Sequence, residues 1–200
     1  MMTYTMHENT SKRMIVLLHG TGGDEYDLLE VGQYIDPDAI LIGIRGAVQE
    51  HGMNRYFKKK PDGTFDEANL EEETVKLYQQ IQELRRPDHF VTILGYSNGA
   101  NITQNILKKM QPAFDNVMLL HPSLVRAHVP YLPQKQTAIF VSGGVNDPYL
   151  SLEQFTGLKR QLEEADIRYE AYISPQGHQL LREELTAARE WYQTQIKQKK

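Results

Sequence analysis

The 200-residue chain contains no cysteine. That excludes a disulfide framework, a catalytic thiol and any zinc or iron–sulfur site with cysteine ligands. No run approaches the roughly 18 apolar residues that a membrane span requires. The segment from Met1 to Arg13 is polar and lacks the apolar stretch of a secretory signal, so a cytoplasmic protein is expected. Positive charge is also in short supply: 22 Lys and Arg face 26 Asp and Glu, a formal net charge of −4. Without a broad basic block, nucleic acid is not expected as the main partner. The short runs Lys58-Lys59-Lys60 and Lys197 to Lys200 read as a solvated loop and tail. The seven histidines include no His-Glu-x-x-His or other tight ligand pair, so no metal is expected, and no cofactor.

What is present is an alternation. Met14 to Leu18, Ala39 to Ile44, Phe90 to Leu94, Val117 to Leu120 and Ala138 to Val141 are continuous apolar runs rich in branched residues, and Tyr169 to Ile173 is a more mixed one. Such runs read as strands covered on both faces. Between them lie helical stripes. Leu70, Thr74, Leu77, Ile81 and Leu84 share one helix face, with Asp66 or Asn69 available as the cap and Pro87 beyond the end. Phe155, Leu158, Leu162 and Ala165 form a second stripe, and Leu181, Leu185, Ala188, Tyr192 and Ile196 a third. This rhythm predicts an α/β fold: one domain over residues 1–200, with a mostly parallel sheet of about six or seven strands and helices on both faces. Residues 46–69 form the longest irregular stretch, suited by its place after a strand to be a substrate wall.

Gly95-Tyr96-Ser97-Asn98-Gly99 follows one predicted strand and opens a helix pattern running to Met110. A strand-to-helix turn this sharp needs residues without bulk at both glycine positions, and it exposes the serine oxygen beside a helix N-terminus. His19-Gly20-Thr21-Gly22-Gly23 directly follows the first strong strand. A glycine-rich turn there frees backbone N–H groups, and the N–H groups of Thr21 and Asn98 are the candidates for an oxyanion hole. No Gly-Lys-Ser/Thr follows, so a phosphate loop does not fit.

A serine hydroxyl needs a base, and the base needs an orienting acid. His178 lies in the loop after the last predicted strand, and Asp147 lies in the loop after Ala138 to Val141. The order Ser97, Asp147, His178 is that of α/β-hydrolases. His121, beside Pro122, and His128 are assigned structural or solvent roles, and Asp166 falls at the wrong end of the sheet.

With these motifs in place, the chain resembles the α/β-hydrolase superfamily, and within it the small phospholipase/carboxylesterase group that includes acyl-protein thioesterases. It is most similar to a bacterial branch of that group in His19 to Glu25, Gly95 to Ile102, Arg45-Gly46, Arg55-Tyr56-Phe57 and Gly177 to Leu180. The resemblance extends from about Tyr4 to Tyr192. Some members of that branch are associated with resistance to hydroquinones and catechols, an association that fixes no substrate here. The resemblance implies Ser97 as nucleophile, Asp147 as acid, His178 as base, and Thr21 and Asn98 as oxyanion donors. Ser123 departs from the pattern, because such relatives often carry Met after His-Pro.

The expectation is therefore a serine carboxylesterase acting on a small-molecule ester, aromatic esters included, with a thioesterase or lysophospholipase as the nearest rival and a non-catalytic ligand-binding protein as the more distant one. No long insertion offers a large lid, so an open pocket for short acyl chains is expected, lined by Tyr26, Arg55, Tyr56 and Phe57. The oligomeric state stays open, a homodimer included.

Overall fold

A computed structural model describes residues 1–198, so Lys199 and Lys200 of the C-terminal basic run lie outside the described residues. The strands are β1 (Tyr4–His7), β2 (Arg13–Leu18), β3 (Ile40–Ile44), β4 (Val48–Glu50), β5 (Met53–Arg55), β6 (Phe90–Tyr96), β7 (Asn116–Leu120), β8 (Ala138–Gly144) and β9 (Arg168–Ser174). The helices are α1 (Leu29–Ile35), α2 (Glu67–Leu84), α3 (Asn98–Lys109), α4 (Leu152–Glu164) and α5 (Arg182–Gln198). Seven strands form one sheet in the order β1-β3-β2-β6-β7-β8-β9, and β4 and β5 form a separate hairpin. All neighbours in the large sheet are parallel except β1, which runs antiparallel to β3 from Tyr4↔Ile44 to His7↔Leu41.

The side-chain alternation of β2 shows why the run is continuously apolar. Ile15 and Leu17 enter one core with Ile35 of α1 and Ala188, Trp191 and Tyr192 of α5. Met14, Val16 and Leu18 enter the opposite core with Leu70, Leu77 and Ile81 of α2, Ile102 and Ile106 of α3, and Leu158 of α4. A strand buried on both faces must be apolar at both parities. α2 starts where the sequence places it: the Asp66 side chain accepts from the Asn69 N–H at 3.1 Å.

All six strands expected from the sequence are present, several one to three residues longer. The additional elements are β1, α1 and the β4–β5 hairpin, the last within the stretch expected to be irregular. Parallel strands share an orientation, so the chain segments after β2, β6, β7, β8 and β9 all emerge at one edge of the sheet, where ligands of open α/β sheets bind.

At the opposite edge of the sheet, α5 is tied to the end of α1 by a buried polar contact. Tyr192 of α5 donates its hydroxyl to Asp36 Oδ2 at 2.9 Å, and Arg13 Nε reaches the same oxygen at 2.6 Å. Tyr192→Phe removes one bond to a charged acceptor without opening a cavity. The expected loss is about 1.5 kcal/mol of unfolding free energy, read by urea titration with an unchanged m-value.

Candidate active site

Each candidate residue is set by the end of a strand. Ser97 follows β6 with φ 51 and ψ −109, a region that non-glycine residues seldom occupy. The turn is held on two sides: Ser97 N–H donates to Leu120 O at 2.9 Å and Gly99 N–H to His19 O at 3.0 Å. A Cβ at Gly99 would lie 2.0 Å from Leu18 O, and one at Gly95 would lie 2.7 Å from Ala100 N. Both glycines of the motif are therefore required by close backbone approach.

The loops after β8 and β9 are stitched together, Val145 N–H donating to Ser174 O at 2.9 Å and Asn146 N–H to Gln176 O at 3.1 Å. This brings Asp147 and His178 into contact. His178 Nδ1 lies 3.1 and 2.9 Å from the two carboxylate oxygens of Asp147, and Nε2 lies 2.8 Å from Ser97 Oγ. A carboxylate only accepts, so Nδ1 carries the proton and Nε2 presents its lone pair to the serine hydroxyl. The base loop is further held by Tyr96, whose hydroxyl donates to His178 O at 2.8 Å. The Asp147 side chain is fully buried. Burial alone would raise its pKa, but hydrogen bonds from His121, His178 and the Tyr149 N–H hold it below the ordinary carboxylate value.

The two oxyanion candidates face the same cleft. Asn98 is the first residue of α3, so its N–H has no partner within the helix. In the glycine turn, the N–H groups of Gly22 and Gly23 are engaged by Asn54 O and Gly20 O, and the neighbouring Thr21 and Asn98 both line the cleft. The cleft has a volume of about 810 Å³ and is bounded by Met53, Arg55, Lys59, Thr64, Phe65, Tyr96, Ser97, Asn101, Ser123, Leu124, Tyr149, Gln154 and His178 among others. Ser123, the departure from the family pattern, therefore borders the cleft.

Of the four residues expected to line the pocket, Arg55 alone does so. Its guanidinium is engaged, Nε by Glu50 Oε2 at 3.1 Å and Phe57 O at 3.1 Å, and one terminal nitrogen by Thr21 Oγ1 at 2.9 Å. Burial pulls its pKa below the usual arginine value, with Glu50 opposing. Tyr56 and Phe57 do not line the cleft; both are 0% exposed. The long excursion turns inward at these residues because two large aromatic side chains gain more from the core than from the rim. Tyr56 donates its hydroxyl to Ile44 O at 2.5 Å, accepts from His19 N–H at 3.1 Å, and donates its own N–H to Asn98 Oδ1 at 2.7 Å. Tyr26 is also absent from the lining and is 57% exposed.

Sequence reasoning missed several lining residues, two large aromatic ones among them. Phe65 and Tyr149 line the cleft, the Tyr149 ring 4.6 Å from that of His178. Tyr149 could have been sought as the residue two beyond the acid, but Phe65 gave no signal. His121, expected in a structural or solvent role, is fully buried between Asp147 and Glu184. His128 is solvent-facing, with a side chain 66% exposed. Asp166, at φ 54, precedes β9 at the edge opposite Ser97.

The ligand-type atoms of His121, Asp147 and His178 lie within 4.8 Å of one another. Each of them already faces a hydrogen-bonding partner at 2.9–3.1 Å, so the arrangement reads as a proton network.

Comparison with known proteins places the chain among hydrolases. The Bacillus subtilis (strain 168) protein MhqD, named as a hydrolase, is 37% identical over 199 residues, covering 98% of this chain and 100% of that one. The crystal structure of the Bacillus cereus carboxylesterase superposes with a TM-score of 0.92 at 32% identity, covering 98% of this chain and 95% of that one. The structure of YahD with malic acid gives 0.89 at 32% identity, covering 98% and 100%. The model of the dienelactone hydrolase family matches residues 48–195. The chain belongs to the dienelactone hydrolase family, hydrolases of the α/β-hydrolase superfamily.

Proposed function

We propose that the protein is a serine carboxylesterase in which Ser97, His178 and Asp147 form the catalytic triad. The observation that carries this reading is the continuous hydrogen-bonded line from Ser97 Oγ through His178 to Asp147, all within 3.1 Å, at the mouth of an open cleft. Ser97 Oγ attacks the ester carbonyl carbon while its proton passes to His178 Nε2. Asp147 keeps the imidazole in the tautomer that can accept and stabilises the imidazolium. The N–H groups of Thr21 and Asn98 stabilise the tetrahedral oxyanion, each donor lowering the barrier by about 3 kcal/mol. Collapse of the intermediate breaks the bond to the alcohol, which leaves with the proton from His178. Water, deprotonated by the same nitrogen, then releases the acid and restores Ser97.

The substrate follows from the cleft. No long insertion covers it, so little apolar wall surrounds a long acyl chain, whereas Met53, Phe65, Leu124 and Tyr149 suit a short or aromatic ester. The likeness to the Bacillus cereus carboxylesterase supports the same chemistry.

A fluorophosphonate probe should modify Ser97, as read by peptide mass spectrometry. Labelling should vanish in Ser97→Ala, and turnover in His178→Ala should fall at least about a thousandfold. Absence of an adduct on folded wild-type protein would falsify the hydrolase mechanism and favour a ligand-binding role. In panels of matched esters and thioesters, kcat/KM should be highest for short-chain and aryl esters. A consistent preference for thioesters or long chains moves the assignment to a thioesterase or lysophospholipase. Tyr56→Phe unpins the glycine turn from β3 and leaves two buried groups unsatisfied. It should cost about 1–3 kcal/mol of stability and lower kcat by about 10- to 100-fold with the triad intact.

A further inference from the structure

Behind the Asp147–His178 pair lies a second histidine that the mechanism above does not use. His121 ends the β7 segment with φ 47, a left-handed conformation that a non-glycine residue adopts only where its surroundings impose it. Its side chain is 0% exposed, as are those of Asp147 and Glu184. Nδ1 lies 2.9 Å from Asp147 Oδ2, and Nε2 lies 3.1 Å from Glu184 Oε2. Glu184 sits in the first turn of α5, where the helix dipole favours negative charge. Its Oε1 accepts from the Ser142 hydroxyl and its Oε2 from the Leu181 N–H at 3.3 Å.

These contacts fix a proton count. Carboxylate oxygens only accept, and a neutral imidazole carries one N–H. A neutral His121 would therefore turn one nitrogen lone pair onto a carboxylate lone pair and leave two anions without a cation in a site closed to bulk solvent. One additional proton removes both conflicts. We infer that His121 is held as a doubly protonated imidazolium between Asp147 and Glu184, and that it acts as a positioning residue setting how much negative charge Asp147 presents to His178.

The groups around His121 support this assignment. Asp147 reaches it from the β8 loop, Glu184 from α5, Tyr96 from β6 with ring centroids 6.2 Å apart, and His178 from the β9 loop at 5.4 Å. Among the described residues no lysine or arginine pairs with either carboxylate, so His121 is their cation. Burial works against its charge, but Glu184 and then Asp147 outweigh it and hold its pKa above the ordinary histidine value. Asp147 thus shares its charge between two rings. The imidazolium touches Asp147 and lies 5.4 Å from the His178 ring, whereas Glu184 reaches only its far nitrogen, so the cation weakens the field of Asp147 at His178 by more than the remoter Glu184 restores it. This keeps the base free at lower pH and helps it return its proton to the leaving alcohol.

The kinetic part of this inference rests on the triad reading, whereas the proton count does not, and the experiment separates them. Nitrogen-15 NMR of the imidazole groups in the full chain, assigned through His121→Asn, should show two ring N–H protons on His121 at about pH 7. Glu184→Gln keeps the side-chain shape and removes the second carboxylate. It should abolish one of these N–H signals and move the acidic limb of the kcat/KM profile to higher pH. At about pH 6 the rate, relative to its plateau, should fall about 3- to 10-fold. The double variant His121→Asn/Glu184→Gln removes both charges together; it should shift the limb in the same direction and covers the case in which the single variant fails to fold. A single N–H on wild-type His121 overturns the proton count. Two N–H signals with an unmoved limb in folded, Ser97-labelling variants overturn the positioning role. If wild-type Ser97 does not take the fluorophosphonate, the triad reading fails instead, and the NMR result still decides the state of His121.

Discussion

A carboxylate with no contact to water must be surrounded by donors, and Asp147 is such a group. Its side chain is 0% exposed, and it accepts from His121, His178 and the N–H of Tyr149. An isolated charge in that place would cost several kcal/mol. The requirement reaches back into the fold. The two imidazoles come from segments after β7 and β9, on either side of β8, so the acid is satisfied only when three neighbouring strands are in register. Register between β7 and β8 places Leu120 against Ser142, and that between β8 and β9 places Gly144 against Ser174. The close approach of the loop backbones leaves no room for a side chain at Gly144, whose Cβ would stand 2.1 Å from Gly177 O. The site is thus complete only where β7, β8 and β9 are paired in this register.

The same reasoning separates what the sequence could announce from what it could not. Strands such as Met14 to Leu18 are legible because burial on both faces demands an unbroken apolar run. Ser97, Asp147 and His178 are legible because a parallel sheet delivers strand ends to one edge, which makes chain order stand in for position. β1 escaped notice because an edge strand with one partner tolerates the mixed composition of Tyr4 to His7. α1 is only seven residues long and includes Gly32, which lies so close to Leu17 and Leu41 that a Cβ would stand 3.0–3.1 Å from their side chains. The hairpin strands, at three residues each, are too short for periodicity to register.

Within the site, the misread residues are those whose role is decided by long-range contact. An aromatic pair in a long loop reads equally well as a substrate wall or as an anchor, and Tyr56 and Phe57 are anchors. His121 pairs with Glu184, 63 residues away and buried in the first turn of α5. Nothing local in His121-Pro122-Ser123 forecasts that partner, whereas the pairing of His178 with Asp147 is anticipated because both sit on loops at the same sheet edge.

The 46–69 excursion then has a definite physical role. It covers the glycine turn without forming a lid, because it is fastened at its base and not at its tip. Gly46 N–H donates to His19 Nε2 at 3.0 Å, so this ring is neutral with its proton on Nδ1, facing Gly20 O at 2.6 Å. Burial, only partly opposed by the Gly20 carbonyl, lowers the pKa of His19 and keeps it in that state. Tyr56 holds the His19 N–H, Arg55 the Thr21 hydroxyl and Asn54 O the Gly22 N–H, so the turn is held before, at and after Thr21. Oxyanion stabilisation depends on donors that need not reorganise as charge develops. Burying the roots of the loop holds the glycine turn in that way and leaves Lys59, Thr64 and Phe65 to line the cleft.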